Sequence, residues 1–126
     1  MPYKLEVRAS QIDGAGDGVF AGEDIPTRTC LGTYMGKRLT CIECMEMRDT
    51  RYVYEVFHPE GTTFIDGGQG GNWTSMVNGA RTDVERTRIN VESVQIDNNI
   101  VFFTTRDISM GEELLLDYGN RYWHDS

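Results

Sequence analysis

Ile89-Asn90-Val91-Glu92-Ser93-Val94-Gln95-Ile96-Asp97-Asn98-Asn99-Ile100-Val101-Phe102-Phe103-Thr104-Thr105-Arg106 reads as two strands, Ile89 to Ile96 and Ile100 to Arg106. Val, Ile, Phe and Thr dominate both, and these β-branched and aromatic side chains fit a pleated surface. Asp97-Asn98-Asn99 between them reads as a hairpin turn, because Asn and Asp tolerate the left-handed backbone that tight turns require. Outward from this pair, Leu5 to Arg8, Gly18 to Ala21, Cys30 to Met35, Tyr52 to Phe57, Thr62 to Ile65 and Leu114 to Leu116 have the same strand character. Fourteen glycines punctuate these segments, which argues for small strands and many turns rather than a helical bundle. Thr40-Cys41-Ile42-Glu43 matches a capping box and predicts a helix ending near Arg48. A second short helix is expected at or after Asn72, through Trp73 and Met76, with Asn72 capping it behind the glycine-rich Gly67-Gly68-Gln69-Gly70-Gly71. The expected fold is mainly β with short helices. With no repeat, low-complexity tract or linker, one domain over residues 1–126 is expected.

Composition narrows the function classes. Twelve Lys and Arg against twenty Asp and Glu give 126 residues a formal charge of -8. That balance counts against direct binding of nucleic acid phosphates and favours basic peptides as partners, by electrostatic steering. No apolar run approaches the ~18 residues of a membrane span. The amino terminus lacks a basic stretch followed by an apolar block, so no signal peptide and an intracellular protein are expected. Cys30, Cys41 and Cys44 cannot all pair, and reduced thiols are the better reading. Cys41 and Cys44 form a C-x-x-C, but only His58 and His124 remain to complete four zinc ligands. Two small apolar residues on one face of a short helix suit them better, and no metal is expected.

The common catalytic motifs are missing: no G-x-S-x-G elbow, no P-loop, no H-E-x-x-H, and no dinucleotide-binding loop. Gly14-Ala15-Gly16-Asp17-Gly18 is followed by strand rather than helix, so it reads as a tight turn between strands. What remains is a set of polar and aromatic residues beside glycines at strand ends: Tyr34 before Gly36, Asn78 before Gly79 and Tyr118 before Gly119.

From Gly16 to Tyr118 these pieces resemble, in order, the SET domain family of protein lysine methyltransferases. Gly16-Asp17-Gly18-Val19-Phe20-Ala21 with Asp24-Ile25-Pro26 looks like the opening segment, and Tyr34-Met35-Gly36 like the Y-x-G that follows. Arg106-Asp107-Ile108, Gly111-Glu112-Glu113-Leu114 and Asp117-Tyr118-Gly119 look like the closing run, the most specific of the set. Where most SET domains carry N-H-S, this chain has Asn78-Gly79-Ala80. The surrounding Asn72-Trp73 and Val77-Asn78-Gly79-Ala80-Arg81, and Phe64-Ile65-Asp66-Gly67 before them, are similar to the PR subfamily.

The resemblance implies a SET-type β-clip fold of several small sheets with a C-terminal pseudoknot that brings Asn78 and Tyr118 to one site. It implies S-adenosyl-L-methionine as methyl donor, held by Ala15, Gly16, Asp17, Ser75, Met76, Asn78 and Gly79. Tyr118 would orient the substrate amine, and Tyr34 would wall an aromatic channel and attract an alkylammonium through its ring face. Leu116 would bear on how many methyl groups are added, unless it merely finishes a buried strand. Trp123 would cover the cofactor or the channel, or pack on the core as a tail aromatic. The implied activity is protein-lysine N-methylation, with a histone tail or another Lys-containing basic peptide as substrate and a nuclear location. PR domains include members with little catalysis, so the loss of the family His at Gly79 bears on efficiency. The alternatives are a catalytically weak PR-like module that binds basic peptides, and a β-rich binding protein sharing only the scaffold.

Overall fold

The computed structural model describes residues 3–117. Along the chain lie β1 (Leu5–Ala9), β2 (Asp17–Ala21), β3 (Cys30–Thr33), β4 (Lys37–Leu39), α1 (Cys41–Met45), β5 (Val53–His58) and β6 (Gly61–Asp66). A 3-10 turn (Trp73–Met76), β7 (Asn78–Gly79), α2 (Asp83–Arg86), β8 (Val91–Ile96), β9 (Asn99–Thr104) and β10 (Leu115–Leu116) follow. They form three small sheets with strand orders β1-β2, β3-β9-β8-β10-β7 and β4-β6-β5. The mainly β architecture with short helices is as expected from the sequence.

The β8–β9 hairpin is tighter than the sequence suggests. Ile96 pairs with Asn99, so the turn is Asp97-Asn98, with Asp97 in the left-handed region at φ 55°. Thr40 and Glu43 form the capping box, yet α1 stops at Met45, short of Arg48. None of its residues is buried, and so short a helix has little beyond its cap to sustain it. Asn72 caps the 3-10 turn by accepting from the Thr74 amide.

β9 lies between β3 and β8, and Ile100, Val101 and Phe102 are all buried there. A continuous apolar run is what a strand covered on both faces requires. Around Phe102 the core gathers Val19, Ile25, Tyr34, Val56, Ile65, Val91, Ile108, Leu114 and Leu116. Burying each large aliphatic or aromatic side chain contributes about 1.5–3 kcal/mol.

The last described segment, Glu112 to Leu116, is threaded through this framework. β10 runs parallel to both β7 and β8, with Leu115 opposite Asn78 and Leu116 opposite Gly79 and Val91. Just before it, the Leu114 amide donates to the Val19 carbonyl at 2.8 Å, and the Ala21 amide donates to the Glu112 carbonyl at 2.9 Å. One short stretch thus ties the β1-β2 sheet to the five-stranded sheet. Buried Asn90 fixes it: its Nδ2 donates to the Glu113 carbonyl at 3.0 Å, and its Oδ1 accepts from the Leu115 amide at 2.8 Å.

Candidate active site

The strand order places three remote segments side by side: the turn between β1 and β2, the β7 pair Asn78–Gly79, and the approach to β10. Gly14 and Gly16 turn the first segment with φ of 78° and 72°, a conformation glycine adopts without steric penalty. Asn78 Nδ2 donates to the Asp17 carbonyl at 3.0 Å and to Glu113 Oε2 at 3.2 Å. The same Oε2 accepts from the Ser10 hydroxyl at 2.7 Å, and Oε1 accepts from the Gln11 amide at 3.0 Å. Ser10 Oγ in turn accepts from the Ile12 amide at 3.0 Å. Glu113 is 5% exposed, a buried carboxylate made tolerable by these donors.

Beside this junction opens a cleft of about 380 Å³. Ile12 to Ala15 form one wall, while Asn78, Gly79, Arg81 and the start of α2 form the other. Arg51 and Tyr52 complete it. Its charges are mixed. Asp49 and Arg51 pair at 2.7 Å, and hydrogen bonding from the Arg51 side chain, then its backbone, holds the Asp49 carboxyl at about 2. The Arg51 guanidinium lies 5.4 Å from the Tyr52 ring centroid. Glu85 is held below the usual carboxylate range by the backbone amides of Arg81 and Thr82.

Of the residues singled out from the sequence, Ala15, Asn78 and Gly79 line this cleft together. Gly16 and Asp17 follow Ala15 in the chain and are not among the described cleft-lining residues, though Asp17 contributes the carbonyl that receives Asn78. Ser75 and Met76 lie in the 3-10 turn, where the Ser75 hydroxyl donates to the Asn72 carbonyl at 3.0 Å, and they are not among the described cleft-lining residues. Tyr34 is buried. Its hydroxyl donates to the Tyr52 carbonyl at 2.5 Å, and its ring packs 4.6 Å from Tyr54 and 5.8 Å from Phe102. Leu116 is 1% exposed, within the core. Tyr118 and Trp123 lie outside the described residues. No group of three His, Cys, Asp or Glu suited to a metal occurs among the described residues, and no helix there is long and apolar enough to cross a membrane.

Arg51, Tyr52, Arg81 and Glu113 escape the sequence reading. Arg81 ends the PR-like Val77-to-Arg81 run, and Glu113 lies in the SET-like Gly111-to-Leu114 run. Nothing local marks Arg51 or Tyr52; the Tyr52 carbonyl is held by the Tyr34 hydroxyl and the Gly67 amide, both remote in the chain.

Three small sheets joined by a threaded strand, with a polar cleft beside the thread, define a SET-type scaffold. The family model described as "PR domain zinc finger protein 2, PR domain" matches residues 5–126. The chain belongs to that PR domain family. It is 36% identical over 106 residues to mouse PR domain zinc finger protein 14, covering 83% of this chain and 18% of that protein. It is 26% identical over 127 residues to the Caenorhabditis elegans histone-lysine N-methyltransferase set-17, covering 99% and 44%. Among solved structures it is similar to the methyltransferase domain of human PR domain-containing protein 2, with TM-score 0.77, 27% identity and coverage of 92% and 77%. It is also similar to a chain of ctPRC2 in an autoinhibited conformation bound to S-adenosylmethionine, with TM-score 0.79, 25% identity and coverage of 96% and 16%. The chain spans 15–18% of the length of the first curated relatives it matches.

Proposed function

We propose that the chain is a single PR domain that transfers a methyl group from S-adenosylmethionine to a lysine amine of a protein substrate, a histone tail foremost. The observation that carries this reading is the meeting of the Ile12–Ala15 turn with Asn78–Gly79 at one cleft, beside the strand that leads to Tyr118. The cleft's donor set fits the cofactor. Arg81 suits a carboxylate, Asp13 and Glu85 an ammonium or sulfonium, and Tyr52 and the side-chain oxygen of Asn78 an adenosine. Bound there, S-adenosylmethionine would supply an electrophilic methyl carbon on sulfur.

The rest is the work of the chain's own residues. A lysine ammonium has no lone pair, so the amine must first release its proton to water; desolvation and a nearby positive charge lower its ordinary value of ~10.4. Alignment of the neutral amine with the methyl carbon then supplies much of the rate. Tyr118 orients that amine, and Tyr34 presents its ring as channel wall. Ser75 and Met76 lie in the turn just before the Asn78 wall. The name of the worm relative and the chain's charge of -8 both support a basic histone substrate, and with it a nuclear location.

Incubation with methyl-labelled S-adenosylmethionine and histones should label lysine, and Tyr118→Phe should reduce the label strongly. Unchanged labelling in that variant removes Tyr118 from the chemistry. Gly79, where most SET domains have His, favours one further reading: a module that binds basic peptides with little turnover. Calorimetry would reveal it as peptide binding without uptake of S-adenosylmethionine.

A further inference from the structure

We infer that Glu113 is a positioning residue whose buried carboxylate joins the two walls of the cleft and thereby sets the affinity for the methyl donor. This rests on the reading of the cleft as the S-adenosylmethionine site. One carboxylate gathers groups that the chain separates by 103, 102 and 35 residues: the Ser10 hydroxyl, the Gln11 amide and the Asn78 side chain. The first two fix the loop entering the Ile12–Ala15 wall, and the third fixes the opposite wall. Glu113 is itself held through its backbone on both sides, since the preceding Glu112 carbonyl accepts from the Ala21 amide, its own carbonyl accepts from Asn90, and the next amide donates to the Val19 carbonyl. Its side chain therefore has a fixed origin from which to hold the walls apart at one spacing.

Gly18 gives independent support. A Cβ at that position would stand 2.3 Å from Glu113 Oε2 and 3.1 Å from Asn78 Nδ2. The second glycine of Gly16-Asp17-Gly18 thus makes room for the carboxylate, whereas Gly16, at φ 72° with open space around it, serves the turn. The motif is built around Glu113 as much as around a ligand. Charge matters as well as shape, because all three groups donate and only a carboxylate accepts at both oxygens.

Glu113→Gln tests this in the 126-residue chain. The new NH2 must face either the Gln11 amide or the Asn78 amide, donor against donor. Amide exchange at Gln11 and Ile12 in the ligand-free chain should accelerate at least about tenfold by loss of those bonds, while the β8–β9 hairpin keeps its protection. The calorimetric dissociation constant for S-adenosylmethionine should rise by about tenfold or more, with the peptide KM within about twofold. Unaltered exchange at Gln11 and Ile12, or donor affinity within about twofold of the parent chain, overturns the inference. A parent chain that binds no donor would refute the reading of the cleft instead, and the inference that the affinity is set here falls with it. Should Glu113→Gln fail to fold, Ser10→Ala removes one strut from a half-buried loop. It should weaken donor binding about three- to tenfold, and Ser10→Thr should restore it; equal affinity in all three chains overturns the inference.

Discussion

Tyr34→Phe separates two ways in which a buried tyrosine could serve this cleft. The Tyr34 hydroxyl donates to the Tyr52 carbonyl at 2.5 Å, and the Gly67 amide donates to the same oxygen at 2.8 Å. Removing the hydroxyl leaves that carbonyl one partner and leaves the ring in place against Tyr54 and Phe102. Among the described residues the loss is one neutral hydrogen bond, worth about 0.5–1.5 kcal/mol. For a chain of this size about 1 kcal/mol lowers the melting temperature by roughly 3–5 °C, so circular dichroism should record a fall of about 2–7 °C. The ring face needed for cation–π attraction survives, and kcat with labelled donor should stay within about threefold. Tyr52 loses an anchor, and KM for the donor should rise about two- to fivefold. A fall in kcat of about 100-fold at unchanged melting temperature would refute this reasoning. The hydroxyl would then belong to the reaction rather than to the scaffold.

Other perturbations probe the thread and the turn. Gly18→Ala and Gly16→Ala should each destabilise by about 1–3 kcal/mol, the first by overpacking against Glu113 and the second by backbone strain. Adding Glu113→Ser should relieve only the first, and a thermal double-mutant cycle that finds no coupling between positions 18 and 113 would refute the steric account. Asn90→Ala removes a partner from the buried Glu113 carbonyl and Leu115 amide, at about 1–3 kcal/mol for each group left unsatisfied; a melting temperature within about 2 °C of the parent's would show that the thread is held by other bonds. Burial pushes the Glu112 carboxyl up, but the Ser109 amide and the Arg106 guanidinium outweigh it and hold it below its usual range. Its contribution is therefore complete above the unfolded value of ~4.3 and disappears as pH falls through the lower folded value. Melting curves of Glu112→Gln and the parent should differ most near neutral pH and converge in acid, and a gap independent of pH would contradict that assignment.

Most of the strands were legible because their signals are local. The β8–β9 pair announces itself by composition and turn residues, and β5 and β6 by aromatic and β-branched residues. β4 and β7 were not legible. Lys37-Arg38-Leu39 and Asn78-Gly79 have no strand character of their own, and they are strands only because Asp66, Ile65 and Phe64, and Leu115 and Leu116, lie opposite them. α2 could have been found: Thr82 and Glu85 form the same capping box as Thr40 and Glu43.

The cleft divides along the same line. Glycines and Asn78 could be noticed because their residue types are unusual beside strands, whereas Glu113 sits in an acidic pair and nothing local distinguishes it from Glu112. The fold separates the two. Glu113 is bridged to Phe20 on β2 and turns its carboxylate toward Ser10, Gln11 and Asn78. Glu112 pairs with partly exposed Arg106 at 3.0 Å. Adjacent residues of an extended segment face opposite ways, so the register of the thread decides which glutamate enters the cleft junction. A slip of one residue would put Glu112 beneath the walls and Glu113 beside Arg106. That register is set by the Asn90 clamp and by the pairing of Leu115 and Leu116 with β7, which makes the geometry of the candidate site a consequence of how the last described strand is threaded.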